Sequence, residues 1–385
     1  MERIYLDHNA TTRPAAEVVA AVRGALEDGW GNPSSMHWFG QLARKAEEEA
    51  REKVAAFLGA DPAGVIFVSG GTEANYLAIR GAALARAGQK GRIITSGIEH
   101  PSVSGACRSL EPLGFEIVTV PVDRQGRVAP SAVAAALNDE TILVSIMTAN
   151  NETGAIQPLA EIGRLVKARG ALMHTDAVQA AGKIKIEAAE WPVDLLSISG
   201  HKFYGPKGVG ALYVRKGVQL APQQRGGGQE GGIRGGTENM PGLIGLGAAA
   251  ALASAQIETW SRQISRLRDL LESQLLRRVP HTIVNGDREH RVPNTTNLSF
   301  PGAEGEAVLI SLDLKGVAVS TGSACSSGGT EPSHVLLAMG VPPEEARCSI
   351  RFSLGKDNTE AEIMAATEAV AESVKRIREI AGVKS

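Results

Sequence analysis

Cysteine is scarce. The 385 residues contain only Cys107, Cys325 and Cys348, with no Cys-x-x-Cys spacing. Three thiols cannot all pair, so neither a disulfide framework nor a structural zinc site is expected, and a reducing cytoplasm fits. Charge of one sign is also missing. A formal net charge of -2 gives no ground for nucleic acid or an anionic membrane as the main partner. Aromatic residues make up 4%, so the core must be built mostly from Ala, Val, Leu and Ile. No uninterrupted apolar run reaches membrane-spanning length, and the small-residue stretch from Gly245 to Ala255 is too short. The opening Met1-Glu2-Arg3-Ile4 lacks the apolar stretch of a secretory signal.

What is present is the balance of a globular protein, 43% hydrophobic and 21% charged, at a length that suggests two domains. Short apolar runs read as buried strands at Val65–Val68, Arg92–Thr95, Glu116–Val120, Ile142–Ile146, Ala171–Thr175, Leu195–Ser199 and Gly210–Val214. Helical patterns such as Pro130–Leu137 and Leu159–Arg169 lie between several of them. Strands alternating with helices predict an α/β fold with a mainly parallel, doubly wound sheet, whose ligand site lies beyond the carboxyl ends of the strands. A long helix from about Ile244 to Arg278 then leads away from this layer. Strand candidates at Thr296–Phe300 and Ser349–Ser353 follow, and a helix from Thr359 to Ile380 closes the chain. The expected division is a large domain over residues 15–258. A smaller α/β domain is expected from residues 1–14 with 259–385.

Three segments carry chemistry. The strand ending at Ser199 runs into Gly200-His201-Lys202-Phe203-Tyr204-Gly205, and a sheltered lysine there can deprotonate and form an imine with an aldehyde. His174-Thr175-Asp176-Ala177-Val178-Gln179 places Asp176 just past a strand, where it can pair with a protonated ring nitrogen or cap the next helix. Ser69-Gly70-Gly71-Thr72-Glu73 opens a helix whose first N–H groups, with the Thr72 hydroxyl, suit a phosphate. No Gly-Lys-Ser/Thr follows, which disfavours ATP.

Taken together in this order, these segments resemble the pyridoxal-phosphate-dependent cysteine desulfurases of the nitrogen-fixation and iron–sulfur-cluster type, within the class V aminotransferase superfamily. The resemblance spans the chain. It includes Tyr5-Leu6-Asp7-His8-Asn9-Ala10-Thr11-Thr12, Gly31-Asn32-Pro33-Ser34-Ser35, Glu99-His100-Pro101 and Asn150-Asn151-Glu152-Thr153-Gly154. It continues through Arg234-Gly235-Gly236-Thr237-Glu238-Asn239, the Ser320–Gly328 segment and Ile350-Arg351-Phe352-Ser353. One mild departure is Tyr76, where the family more often has Asn.

The resemblance implies the type I fold of pyridoxal-phosphate transferases, with pyridoxal 5'-phosphate as cofactor. Lys202 would be the Schiff-base lysine, Asp176 the partner of the ring nitrogen, and His100 the imidazole stacked on the ring. Gln179 and Asn151 would flank the ring oxygen and the substrate. Gly71, Thr72, Ser199 and His201 would hold the phosphate, with Thr237 reaching in from the second subunit of a homodimer. Arg351 would bind the substrate carboxylate, helped by Asn32.

Cys325 lies in a Ser/Gly-rich segment without apolar periodicity, at about 318–333, and reads as an accessible nucleophile. Cys107 and Cys348 read as small buried hydrophobes. By resemblance, L-cysteine would lose its sulfur to Cys325 as a persulfide, leaving L-alanine, and the sulfur would pass to an acceptor protein such as an iron–sulfur scaffold. No resident metal is implied; Cys325 would meet a nascent cluster only in passing. An aminotransferase that does not need Cys325, and a selenocysteine lyase, are the neighbouring alternatives.

Overall fold

The computed structural model describes residues 3–86, 91–322 and 331–382. Seven strands form the main sheet, in the spatial order Val65–Val68, Gly210–Val214, Leu195–Ser199, Leu172–Asp176, Thr141–Ser145, Arg92–Ser96 and Glu116–Val120. The last five of these run parallel to one another. Gly210–Val214 is antiparallel to both strands it touches, because the short Gly200–Val209 connection can only return the chain in the opposite direction. Every residue of Leu195–Ser199 is buried, as expected of a strand covered on both faces. The α/β reading with a mainly parallel sheet therefore agrees with the structure, and strand bounds differ by a residue at most.

A second sheet of three antiparallel strands orders Ser349–Ser353, Thr295–Ser299 and Ile283–Asn285. Ile4–Tyr5 pairs in parallel with Val317–Ala318, so the beginning of the chain lies with these later elements. Asp7 then bridges to Ser353, which sets the following residues against the last strand of this sheet.

The long helix begins earlier than the sequence pattern suggests, at Met240, because Asn239 caps it by accepting from the Gly242 N–H at 3.2 Å. It runs to Arg278 and packs against Trp38–Leu58, Ala16–Glu27 and the final helix Glu360–Ile380. An 18-residue window of it is apolar enough to cross a membrane by length and composition, but half of that window is buried inside the fold, as in a core helix. Glu360–Ile380 starts with a reciprocal capping box between Thr359 and Glu362.

One packing contact bears directly on the site. Phe203 is buried and stacks on Phe57 with ring centroids 5.0 Å apart, which anchors the turn carrying Lys202. Gly182 packs against the same ring: its φ is +72°, and a Cβ there would meet the Phe203 Cβ at 2.4 Å. The turns after Asp176 and after Ser199 are thus held side by side.

Candidate active site

The carboxyl ends of the parallel strands open on a cavity of about 260 Å³. Gly71, Thr72, His100, Asn151, Asp176, Gln179, Ser199, His201, Lys202 and Arg351 all line it. These residues are spread over most of the chain, and the strand ends bring them together.

Lys202 closes a short 3-10 turn, Gly200–Lys202, directly after its strand. Its Nζ donates to the main-chain oxygens of Asn9 at 2.6 Å and Ala10 at 2.8 Å, so the N-terminal segment lies across the amine. The next turn residue, Tyr204, is held at φ 67° by a bond from its N–H to Thr12 Oγ1 at 2.7 Å. That left-handed conformation is costly for a residue with a bulky side chain. The N-terminal segment and the Lys202 turn therefore constrain each other.

Asp176 ends its strand and is buried. Its Oδ1 accepts the Val178 N–H at 2.9 Å, and its Oδ2 accepts from Asn75 Nδ2 at 2.7 Å. No helix follows Asp176, so its bond to the Val178 N–H closes a turn and the expected helix cap is not formed.

His100 caps the helix Pro101–Arg108, accepting the Ser102 N–H on Nδ1 at 3.1 Å. Burial lowers its pKa from the usual histidine value; Lys202 and His334 add to this and Asp176 opposes it. With Nδ1 an acceptor, the neutral ring carries its proton on Nε2. Burial, with Lys202 and Lys207, also pushes His201 down to about 4, so it too is a neutral ring.

The helix Gly71–Ala85 points its start at the cavity, and no side chain caps it. Its first N–H groups and partial positive charge suit an anion. The hydroxyl of Ser199 and the ring of His201 line the cavity with Gly71 and Thr72.

Arg351 comes from the second sheet and is only 2% exposed. Its Nη2 pairs with Asp7 Oδ1 at 2.7 Å and its Nη1 donates to the Asn151 oxygen at 3.1 Å. Among the described residues its buried Nε has no acceptor. A buried guanidinium N–H without a partner is costly unless a ligand supplies one.

Two expected residues stand apart. Asn32 is exposed and accepts the Ser34 N–H at 2.9 Å within its own turn. Thr237 lines a separate hollow of about 200 Å³ with Ser69, Glu230 and Arg234. Neither reaches the cavity of its own chain. Cys325 and the Ser323–Thr330 stretch lie outside the described residues. Just before them, Ser320 pairs with the backbone of Arg351, at 2.7 Å from the Arg351 N–H to the Ser320 oxygen. Of the other thiols, Cys107 is buried and its pKa is pushed up to about 12, while Cys348 is only partly buried, less than its sequence context suggests.

Several residues of the site carry no signal by type alone. Asp7 is the ion-pair partner of Arg351, although the two are far apart in sequence. Asn75 and Ser102 position Asp176 and His100. Asn9 and Lys183 lie beneath Lys202 and Gln179. Only the i,i+4 spacing of Gln179 and Lys183 gives a hint of their contact.

Comparison with known proteins agrees with this architecture. The family described as Aminotransferase class-V matches residues 4–365. A cysteine desulfurase of Trichormus azollae is 50% identical over 385 residues, covering 100% of this chain and 96% of that protein. Among solved structures, a NifS-like protein superposes with a TM-score of 0.89 at 39% identity, covering 98% of this chain and 99% of its own. A structure described as SspA in complex with cysteine gives a TM-score of 0.81 at 35% identity, covering 92% of this chain and 100% of its own. The chain belongs to the class-V aminotransferase family, among its cysteine desulfurases.

Proposed function

We propose that the protein uses pyridoxal 5'-phosphate to remove sulfur from L-cysteine, placing it on Cys325 as a persulfide and releasing L-alanine. The observation that carries this reading is one cavity that joins an amine, a carboxylate, a neutral imidazole, an uncapped helix start and a buried guanidinium with an unmatched N–H.

The donor set fits the cofactor. Lys202 offers the amine for an aldehyde, Asp176 a carboxylate for a ring nitrogen, and the start of Gly71–Ala85 with Thr72, Ser199 and His201 a cradle for a phosphate. When bound, the cofactor supplies an electron sink for the substrate's α-carbon.

The chain's own groups do the rest. Arg351 holds the substrate carboxylate, using the Nε that lacks an acceptor. Lys202, once released from the cofactor, takes the proton from the α-carbon and is the general base. The neutral His100 ring can exchange a proton through Nε2. The Cys325 thiolate attacks the substrate sulfur: the S–S bond forms, the Cβ–S bond breaks, and its electron pair stays on Cβ and takes up the proton that the substrate thiol gives up, so that the three-carbon fragment leaves as alanine. The bridge from Ser320 to Arg351 brings the chain to the carboxylate-binding residue shortly before Cys325, which supports this role.

A second copy of the chain completes the assembly in this reading. Trp30 and Trp38 are 67% and 63% exposed and pack on Phe39, forming an apolar patch that a free surface does not favour. Thr237, remote from the cavity of its own chain, would serve the partner's. The sulfur acceptor would be a protein such as an iron–sulfur scaffold, and the enzyme would work in the cytoplasm.

The test is Cys325→Ser. With L-cysteine and a thiol reductant, the parent protein should release sulfide and alanine in equal amounts, and mass spectrometry should find one extra sulfur on Cys325. The variant should still bind the cofactor but release no sulfide. Sulfide release that survives the change overturns the mechanism, and cofactor-dependent transamination in its place would favour an aminotransferase.

A further inference from the structure

Lys183 is a buried lysine without an assigned task. It lies four residues beyond Gln179, in the turn that follows Asp176. Its Nζ donates to Asn9 Oδ1 at 2.8 Å and to Gln179 Oε1. Neither acceptor is a carboxylate. The charged groups nearby, Lys202 and Arg351, are both cations, and His8 lies on the same small hollow behind Lys202.

The contacts of Lys183 determine those of two other side chains. The Asn9 main-chain oxygen can only accept, so Gln179 turns its Nε2 toward it and its oxygen toward Lys183, whose amine donates to that oxygen. Its Nε2 then donates to the Asn9 main-chain oxygen at 2.9 Å. That atom has a second N–H, and Gln179 lines the cavity. Asn9 is fixed in the same way. With Oδ1 taking Lys183 and Asn294 Nδ2, its Nδ2 donates to Asn151 and Thr295 Oγ1. The main-chain oxygen of Asn9 is the one that also holds Lys202.

We propose that Lys183 is a positioning residue for the cofactor: it locks Gln179 with an N–H directed into the cavity, as a donor for the ring oxygen of pyridoxal phosphate. This rests on the cofactor reading above and adds a residue to it. Burial and the two cations hold the pKa of Lys183 well below the ordinary lysine value of 10.5. In the proposed arrangement the amine is neutral, with two N–H groups for its two acceptors, and adds no charge beside Lys202.

The experiment is a double-mutant cycle on cofactor affinity, with Lys183→Met, Gln179→Ala and the pair. Each is made as full-length protein, stripped of cofactor and titrated with pyridoxal phosphate by fluorescence. Lys183→Met should weaken binding about tenfold, the loss of roughly one hydrogen bond. In the Gln179→Ala background the same change should weaken it less than about twofold, since the two residues would act as one unit. The pH midpoint of the absorbance of the bound cofactor should move in Lys183→Met and in Gln179→Ala alike. Equal losses in both backgrounds, or an unmoved midpoint, overturn the proposal and leave Lys183 a packing residue. A parent protein that does not bind the cofactor overturns the cofactor reading instead.

A measurement without cofactor covers the case in which a variant folds poorly. With its folded pKa held below 10.5, Lys183 binds its proton less tightly in the fold than in the unfolded chain, so stability should rise with pH over the range below 10.5. Lys183→Met, or Lys183→Gln if Met is not tolerated, should flatten that rise in urea melts of the apoprotein. An unchanged slope means that Lys183 is charged in the fold and contradicts the proposed two-donor arrangement.

Discussion

The two walls of the cavity are organised differently. On the sheet wall, Asp176, Ser199 and Lys202 sit at or just beyond strand ends, each delivered by local chain geometry. On the facing wall, Asp7, Asn9 and Arg351 come from segments more than three hundred residues apart and are joined by side-chain bonds: Arg351 to Asp7, Asn9 to Thr295 and Asn294, and the Asn9 N–H to Ser353 Oγ. The first wall presents chemistry to a ligand. The second wall spends nearly all its hydrogen-bonding capacity on its own assembly, with Arg351 Nε the buried exception. A mutation on the first wall should therefore remove function and spare the fold. On the second it should damage function and fold together.

The sharpest way to break this contrast is Asn9→Ala. Removing that side chain strips partners from Lys183, Asn294, Asn151 and Thr295 at once. The expected cost is about 3 kcal/mol of folding stability, because several buried polar groups lose a bond together. Urea denaturation of the apoprotein measures it, and a loss close to zero would mean that the facing wall is held by packing instead.

Arg351→Lys should act on ligand and fold together, more gently. The charge beside Asp7 is kept, but the planar fork is lost. kcat/KM for cysteine should fall roughly 10- to 100-fold, mostly through KM, the loss of about one or two charge-assisted hydrogen bonds. Steady-state kinetics across cysteine concentrations would show it, and a fall confined to kcat would assign Arg351 a different task.

A pH-dependent effect is expected at Glu99, next to His100 in the chain. Burial pushes this carboxyl up to about 8, from 4.5, against bonds from Ser96 and the Met147 N–H. Between those values the folded state keeps a proton that the unfolded chain releases. Stability from this group is present below about 4.5 and is lost as pH rises toward about 8. Glu99→Gln should flatten that decline in melts taken across the interval, and an undiminished slope would mean that the proton is held elsewhere.

The same contrast explains what the sequence reveals. Strands such as Val65–Val68 are legible because they are short, wholly apolar and followed at once by a Gly-rich turn. Their ends locate Asp176 and Lys202 without any knowledge of distant partners. Asp7, Asn9 and Lys183 acquire their meaning only from contacts across the chain, so residue type alone marks them as a turn acid, a turn amide and a surface lysine. Asn32 and Thr237 show the converse. Their motifs are recognisable, but a single chain brings neither to its own cavity: for Thr237 the resemblance already implies service to a second subunit, whereas Asn32 is turned into its own exposed loop. The antiparallel placement of Gly210–Val214 is likewise set by the short connection before it and not by its own residues.

The central claim is that the cofactor is carried by Lys202 on the sheet wall, although another buried lysine, Lys183, lies a short way beneath it. Loading the protein with pyridoxal phosphate, reducing with borohydride and mapping the modified lysine by peptide mass spectrometry tests this directly. The account predicts a phosphopyridoxyl group on Lys202 and none in Lys202→Ala protein. Modification of Lys183, or of the Lys202→Ala protein to the same extent, would contradict it.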